Sequence, residues 1–313
     1  MVELVRVGKM PISAIQDYPD ALQYVSLSDG LCHYTIDGPD NGECVVMIHG
    51  ATVPAWEFDR LVPYLNNAGY KTLRADLYGH GYSDRPAVAC DISLFTRQIT
   101  ELLQRLKITA PVHVLGHSLG AAVAASLLAS APQRYSSLVL AAPMVNYAGN
   151  LPIVRLLRIP CLGECLMHGY VMPMLIRRRT RRYREIEDGR FVQKFRNQLL
   201  KPGFASSLLS MFRANTLGDQ LDRYKAAAGT DVPVLILRGE HDRIVTHEQA
   251  EQLSRIFTGS GYRKVDDTAH AFLLTDPDRL APIIINFIRS VPVKHTNITR
   301  QGTSLSSNQY VCR

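Results

Sequence analysis

Short apolar runs alternate with longer amphipathic segments over most of the chain. The apolar runs have the length of buried strands, and the amphipathic segments have helical periodicity. The predicted strands cover residues 22–27, 31–36, 43–48, 70–75, 112–116, 137–142, 232–238 and 262–265. The predicted helices cover about 54–67, 92–106, 121–129, 247–257 and 278–290. This alternation favours an α/β fold with a mostly parallel, doubly wound sheet and right-handed crossovers.

The alternation breaks between about residues 146 and 229. This segment has helical patterning without a clear strand, and its prolines and glycines divide it into several short helices. We therefore predict a helical cap at 146–229, inserted into an α/β core formed by 20–145 and 230–291. Residues 1–18 have no firm pattern, and the polar segment 292–313 is predicted to be a flexible tail.

The composition limits the class of protein. Of the 313 residues, 46% are apolar and 20% are charged, as in soluble globular proteins. No apolar run reaches the roughly 18 to 20 residues that a membrane-spanning helix needs, and the first twenty residues lack the apolar core of a signal peptide. The six cysteines have neither metal-binding nor disulfide-framework spacing, which indicates reduced thiols and a cytoplasmic location.

The most informative stretch is the turn after the predicted strand at 112–116. It reads Gly116-His117-Ser118-Leu119-Gly120 and leads directly into a helix-favouring run of small apolar residues. A strand, a tight turn and a helix in this order are what a G-x-S-x-G nucleophile elbow requires. The turn would place the Ser118 hydroxyl at a helix N-terminus, where partial positive charge favours a developing oxyanion. Ser118 is therefore the candidate nucleophile.

A serine nucleophile needs a base within hydrogen-bond reach and an acid that orients the base. His270 is predicted to be the base, because it lies in the loop between the last strand and the last helix, at the sheet edge where ligands bind. Asp242 is predicted to be the acid, because it lies just past the strand that precedes Gly239. Asp266 and Asp267 are too close to His270 along the chain to orient it.

The chain order Ser, Asp, His is that of α/β-hydrolases. From about residue 22 to residue 290 the chain resembles the α/β-hydrolase fold superfamily, in its capped esterase and lipase group. The resemblance rests on His49-Gly50, Asp76 to Ser83, Gly116 to Gly120, Gly239 to Asp242 and Ala269-His270. It implies that the backbone N–H groups of Ala51 and Leu119 form the oxyanion hole, and that His49 and Gly50 shape the turn before it.

Three further residues are candidates for contact with a substrate, namely Gly50, Trp56 and His117. Gly50 adjoins the implied oxyanion hole, and Trp56 lies on the predicted helix that follows it. Two observations argue against substrate contact by Trp56 and His117. A lone tryptophan on a helix is more often a core residue, and the elbow directs His117 away from the serine.

The leading hypothesis is a serine carboxylic-ester hydrolase that works through an acyl-enzyme on a small hydrophobic acyl substrate, with lipid-derived acyl groups among the candidates. Neither a metal ion nor an organic cofactor is needed for this chemistry. The serine is unlike the aspartate nucleophile that haloalkane dehalogenases and epoxide hydrolases of this fold use. Three alternatives stay open: a carbon–carbon bond hydrolase, an acyltransferase, and a ligand receptor that retains the triad.

The net charge of +7 is concentrated in the predicted cap. Arginines occupy six of the eight positions from Arg177 to Arg184, and Arg155 and Arg158 lie upstream. Nucleic-acid binding is not predicted, because no aromatic stacking pattern or recognised binding motif accompanies the run. A peripheral contact with a membrane or another anionic surface fits better, and a solvated helix face is an equally acceptable explanation.

Overall fold

The computed structural model describes residues 23–149, 151–182 and 189–292 of the chain. The predicted lead-in at 1–18, most of the tail and Arg184 of the arginine run lie outside these ranges. Eight strands form one sheet in the described part, in the order β1-β2-β4-β3-β5-β6-β7-β8. They are β1 Gln23–Leu27, β2 Gly30–Asp37, β3 Cys44–Ile48, β4 Lys71–Ala75, β5 Val112–His117, β6 Tyr135–Ala141, β7 Val234–Gly239 and β8 Gly261–Val265.

The sheet is antiparallel at one edge and parallel everywhere else. The hairpin of β1 and β2 pairs antiparallel, and β2 also pairs antiparallel with β4. The pairs from β4 through β3, β5, β6 and β7 to β8 are all parallel. Strands β3, β5, β6 and β7 are buried along their whole length, because two apolar clusters cover the two faces of the sheet. The predicted α/β fold is confirmed.

Twelve α-helices accompany the sheet within the described ranges. In the core they are α1 Val62–Asn67, α2 Ile92–Arg105, α3 Leu119–Ser130, α10 His247–Ile256, α11 Phe272–Thr275 and α12 Pro277–Ser290. Between β6 and β7 they are α4 Pro152–Leu157, α5 Leu162–Leu166, α6 Met172–Arg182, α7 Arg190–Leu199, α8 Phe204–Arg213 and α9 Leu221–Ala228. None of these helices has the length and apolar character needed to cross a bilayer.

The helix predicted at 54–67 is wrong in one respect. The segment forms a 3₁₀ turn at Ala55–Phe58 and then the separate helix α1. Pro63 explains the break, because a proline cannot donate to the carbonyl four residues earlier and is tolerated only in the first turn of a helix. Pro63 accordingly stands in the first turn of α1.

The described residues between β6 and β7 form helices α4 to α9 with loops between them and no strand, as predicted. A single π-helical turn, Met167–Val171, joins α5 to α6. The buried faces of α7 and α8 carry aromatic residues, among them Phe191, Phe195, Phe204 and Phe212. The division of the chain into a core and a cap at residues 146 and 229 stays a prediction. We use "the cap" below for helices α4 to α9.

Candidate active site

The turn between β5 and α3 holds Ser118 in a strained conformation. Its backbone has φ 53° and ψ −112°, in a region that residues with a side chain rarely adopt. Close packing makes Gly116 and Gly120 necessary here, because a Cβ on Gly116 would collide with the carbonyl of Gly120, and one on Gly120 with the carbonyl of Ile48. The turn therefore has the geometry of a nucleophile elbow, with Ser118 directly before the first residue of α3.

Ser118, His270 and Asp242 form one hydrogen-bonded line. The Oγ of Ser118 lies 3.1 Å from Nε2 of His270, and Nδ1 of His270 lies 2.8 Å from Oδ2 of Asp242. All three residues are buried, and the Asp242 side chain is fully so. The fold thus brings Ser118 and His270, 152 residues apart, and His270 and Asp242, 28 residues apart, to hydrogen-bond distance. This arrangement matches a serine, its base and the orienting acid.

The two loops that carry the acid and the base pack directly on each other. A Cβ on Gly239 would lie 2.8 Å from the carbonyl oxygens of Thr268 and Ala269, so only glycine allows this approach. The Oδ1 of Asp242 accepts hydrogen bonds from the N–H groups of Ile244 and Val245, at 2.8 and 3.0 Å. The carboxylate is therefore held by its own turn and leaves Oδ2 to His270.

The environment keeps the acid ionised and the base neutral. Burial raises the pKa of Asp242, but the hydrogen bond and charge of His270 and the two N–H donors outweigh it, so the pKa lies below its usual value. Burial lowers the pKa of His270, and the hydrogen bond and charge of Asp242 only partly oppose this effect. A neutral imidazole at Nε2 can accept the proton of the Ser118 hydroxyl.

The peptide between Gly50 and Ala51 is anchored by two histidines. His49 accepts a hydrogen bond from the Leu77 N–H at Nε2 (2.8 Å), so its Nδ1 carries the proton and donates to the Gly50 carbonyl (2.7 Å). His80 Nε2 lies 2.9 Å from the Ala51 carbonyl oxygen. Burial lowers the pKa of both imidazoles, that of His80 to about 4. The carbonyl groups on both sides of the Ala51 N–H are thus fixed by neutral side chains.

The two N–H groups implied as an oxyanion hole are not used by the protein itself. Among the described residues, neither the Ala51 nor the Leu119 nitrogen donates a hydrogen bond. Ala51 lines the cavity in front of Ser118, and Leu119 is the first residue of α3. Gly50 also lies next to Ser118, because a Cβ added to Gly50 would be 3.4 Å from the Cβ of Ser118. Both donors suit the stabilisation of negative charge next to the serine.

Trp56 and His117, the other two candidates for substrate contact, have different surroundings in the structure. Trp56 does not line the cavity; its ring packs edge-on against Phe191, with centroids 5.2 Å apart, and Phe191 is the residue that faces the cavity. His117 does border the cavity, but both of its ring nitrogens have protein partners. Its Nδ1 lies 2.7 Å from Oε1 of Glu57, and its Nε2 lies 2.9 Å from the carbonyl oxygen of His270. Its Nε2 is therefore occupied by the protein, and its Nδ1 faces a carboxylate.

Sequence reasoning missed Glu57. Its side chain is 4% exposed, borders the cavity and forms a buried ion pair with His117, the residue before Ser118. No local motif marks this glutamate, which lies in a 3₁₀ turn three residues after Pro54. The only available signal was a charged residue next to apolar neighbours that the fold buries.

A cavity of about 300 Å³ opens in front of Ser118 between the sheet edge and the cap. Its floor is formed by Ser118, His270 and the turn at Gly50 and Ala51. Its walls are mainly apolar side chains of the cap and its flanks, including Leu151, Ile153, Val171, Met174, Leu175, Phe191, Leu208, Phe212 and Leu217. Arg179 of α6 is also part of the wall, and its positive charge is one of the influences that lower the pKa of His270.

One group of side chains in the described residues has metal-ligand proximity. Atoms of Glu240, His241 and Asp267 lie within 4.8 Å of one another. His241 and Asp267 are exposed, and Glu240 is already paired with Lys264 at 2.6 Å. This group does not border the cavity, so we assign it no chemistry.

Comparison with known proteins places the chain among the α/β hydrolases. The family described as serine aminopeptidase, S33 matches residues 39–275. A non-heme chloroperoxidase of Streptomyces lividans is 24% identical and covers 85% of this chain and 99% of its own length. A pimeloyl-[acyl-carrier protein] methyl ester esterase of Methylococcus capsulatus is 28% identical and covers 82% of this chain and 98% of its own.

Solved structures show the same fold. The enol-lactonase from Burkholderia xenovorans LB400 superposes with a TM-score of 0.73 at 21% identity, covering 85% of this chain and 99% of its own. The esterase EaEST from Exiguobacterium antarcticum superposes with a TM-score of 0.72 at 21% identity, covering 85% of this chain and 98% of its own. At such identities the similarity shows the fold alone, and the reaction must be argued from the site.

Proposed function

Because the chain belongs to the serine aminopeptidase, S33 family of α/β hydrolases, we propose that it hydrolyses carboxylic esters with hydrophobic acyl groups, using Ser118 as nucleophile. The observation that carries the proposal is the hydrogen bond between Ser118 and His270 at the floor of an apolar cavity. The curated methyl ester esterase supports ester cleavage as the reaction.

The proposed reaction uses the two-step chemistry of a serine triad. Ser118 Oγ attacks the acyl carbon while its proton passes to His270 Nε2, and the Ala51 and Leu119 N–H groups hold the oxyanion. His270 then gives the proton to the leaving alcohol. In the second step His270 takes a proton from water, the hydroxide attacks the acyl-enzyme, and the acid leaves as the proton returns to Ser118. Asp242 stabilises the imidazolium in both steps.

Initial-rate hydrolysis of p-nitrophenyl esters with short to long acyl chains tests the proposal, with Ser118→Ala as the comparison. We expect turnover that the substitution abolishes and an optimum at chains that fill the apolar wall. Equal rates in both proteins would exclude Ser118 as the nucleophile. Negligible turnover in both would favour the carbon–carbon hydrolase, the acyltransferase or the receptor.

The surface of the cap supports a more specific proposal about the surface from which the enzyme takes its substrate. Six of the nine large apolar side chains exposed in the described residues lie between positions 147 and 170. Three of the six, Tyr147, Leu151 and Tyr170, also line the cavity and so mark its opening. The other three, Leu156, Ile159 and Leu162, lie in or beside α4 and α5 without lining it. Exposed apolar patches of this kind are typical of interaction sites.

The same part of the chain is strongly cationic. From Met144 to Arg182 there are seven arginines and one acidic residue, Glu164, which pairs with Arg213 at 2.8 Å. Arg155, Arg177, Arg178 and Arg181 are exposed and pair with no carboxylate of the described residues. We propose that this surface docks on an anionic lipid bilayer and presents the cavity opening to it, because cationic and apolar side chains together favour such an interface.

Vesicle co-sedimentation tests the docking surface separately from catalysis. We expect binding to phosphatidylcholine vesicles that contain phosphatidylglycerol and little binding to phosphatidylcholine alone. Replacing Arg177, Arg178 and Arg181 by Gln should weaken binding on the order of a hundredfold, at about 1 kcal/mol per arginine. The matched control replaces the exposed Arg105, Lys107 and Arg255 by Gln, so it has the same net charge as the test variant.

The apolar part is tested by replacing Leu156, Ile159 and Leu162 by Ser, with Leu200→Ser as the exposed control. Hydrolysis of a short soluble ester should be unchanged in all these variants. Binding that ignores lipid charge, or that neither set of replacements reduces, would overturn the proposal. So would a dimer that the leucine and isoleucine replacements dissociate, since the surface would then join two copies of the chain.

A further inference from the structure

The buried pair of Glu57 and His117 connects two parts of the site that the triad alone does not join. Glu57 Oε1 lies 2.7 Å from His117 Nδ1, and Glu57 Oε2 accepts a hydrogen bond of 3.2 Å from the Gly50 N–H. On its other side, His117 Nε2 lies 2.9 Å from the carbonyl oxygen of His270. The chain of contacts therefore runs from the turn before Ala51 to the backbone of the base.

The contacts of His117 are satisfied best by the imidazolium. Nε2 lies against the His270 carbonyl oxygen, and Nδ1 lies 2.7 Å from a Glu57 carboxylate oxygen. The Nδ1 contact has ion-pair distance without hydrogen-bond alignment, so it favours the charged ring through the negative charge of Glu57. Burial would lower the pKa of His117, but the charge and contact of Glu57 and the His270 carbonyl raise it above its usual value. Burial would raise the pKa of Glu57, and His117 lowers it instead. A buried carboxylate of this kind is tolerated when it is paired.

We propose that Glu57 and His117 form a buried ionised clasp that positions the oxyanion turn and the backbone of His270 relative to Ser118. Both members are positioning residues in this proposal, because neither would touch the reacting atoms. The proposal deepens the proposed ester hydrolysis and rests on it for its kinetic readout. It also accounts for the choice of histidine directly before the nucleophile.

The clasp also acts on the base through its charge. The rings of His117 and His270 have centroids 5.0 Å apart, and the positive charge of His117 contributes to the lowered pKa of His270. The other groups that face His270 are Asp242, Ser118 and Arg179. Those that act on His117 besides Glu57 and the His270 backbone are Asp242 and His49. Neutralising His117 should therefore raise the pKa of His270.

The decisive variant is Glu57→Gln, which keeps the shape and removes the charge. The Gln amide can still accept from the Gly50 N–H and can donate to a neutral His117. We expect kcat to fall about tenfold to a hundredfold through misplacement of catalytic groups, with KM nearly unchanged. The acid limb of kcat/KM, which reports the base of the free enzyme, should move to higher pH. Glu57→Asp should return the limb towards its original position, because the charge is restored.

Matched variants separate positioning from simple structural damage. His113→Gln removes another buried histidine of β5, whose Nδ1 contacts Ser137 Oγ at 2.8 Å and not the triad; its acid limb should not move. His117→Gln alone leaves a buried carboxylate without a cation. The double variant with Glu57→Gln should therefore be more stable than His117→Gln alone, a non-additive result expected of paired charges.

Two readouts do not depend on the substrate. Active Ser118 can be counted with a fluorophosphonate, and imidazole ¹⁵N NMR, assigned through His117→Gln, reports the charge of His117 in the resting protein. A doubly protonated His117 at pH 7 that becomes neutral in Glu57→Gln supports the clasp even if esters prove not to be substrates. A neutral His117 in the unmodified protein, or a Glu57→Gln variant with unchanged kcat and acid limb, would overturn it. So would a loss of rate that the lost fluorophosphonate-reactive sites explain in full.

Discussion

The two sides of the cavity differ in how they are built. On the sheet side, Ser118, His270 and Asp242 are buried and each has a defined hydrogen-bond partner within 3.1 Å. On the cap side the wall consists mainly of apolar side chains, several of them exposed at the opening. Polar geometry of the first kind tolerates little change, whereas apolar contact is graded and adaptable. We therefore expect substitutions on the sheet side to act on rate and those on the cap side to act on substrate choice.

Ser118→Ala should have the largest effect. Loss of the nucleophile should lower kcat by at least about 10⁴-fold, because only the oxyanion hole and binding would remain. Binding of a substrate-like ester to the cap wall should persist, which can be measured by calorimetry with the inactive variant. Ser83→Ala is the control, since Ser83 Oγ donates to the Asp76 carbonyl within the core. It should keep most of the activity while losing about 1 kcal/mol of stability. Loss of ligand binding in Ser118→Ala would contradict the separation of the two sides.

Asp242→Asn should come next, with a fall in kcat of about 10³- to 10⁴-fold and little change in KM. The substitution removes the charge that opposes the lowering of the His270 pKa and disturbs the tautomer of the imidazole. Stopped-flow or initial-rate assays on the preferred ester measure the effect. Asp267→Asn is the matched control, because Asp267 is close to His270 in sequence but exposed. Its backbone N–H donates to Glu240, and its carboxylate lies 3.9 Å from His241. A comparable loss in the control would mean that the acid had been misassigned.

The same contrast explains what could be predicted from the sequence. The positions of the three triad residues could be predicted. Ser118, Asp242 and His270 each lie just past a strand, and parallel strands present their C-terminal ends at one edge of the sheet. Glu57 and the true setting of Trp56 could not be predicted, because both depend on which segments 60 to 135 residues away pack against them. The cap helices were predicted as a class, but their lining residues were not, since these depend on how the helices pack over the sheet edge.

Phe212→Ala should change substrate choice with a smaller effect on rate. Phe212 belongs to α8 and lines the cavity, so its removal enlarges the apolar wall. We expect kcat/KM to fall about tenfold for the best-fitting acyl chain and to rise relative to it for bulkier chains, as for lost methylene contacts in a pocket. A series of p-nitrophenyl esters measures the shift. Phe257→Ala is the control, because Phe257 is buried against Tyr224 elsewhere; it should lower stability without altering the preference.

Arg179→Met addresses the point at which the two sides meet. Arg179 belongs to the cap wall, yet its charge lowers the pKa of His270 on the sheet side. Removing the charge lets that pKa rise, so the base becomes protonated at higher pH and the acid limb of kcat/KM should move up by about a few tenths of a pH unit. The shift should shrink at high ionic strength, because salt screens the interaction. Arg178→Met removes an exposed charge from the preceding position of α6 and should leave the limb unchanged. If Arg179→Met also leaves it unchanged, the cap acts on the reaction through apolar contact alone.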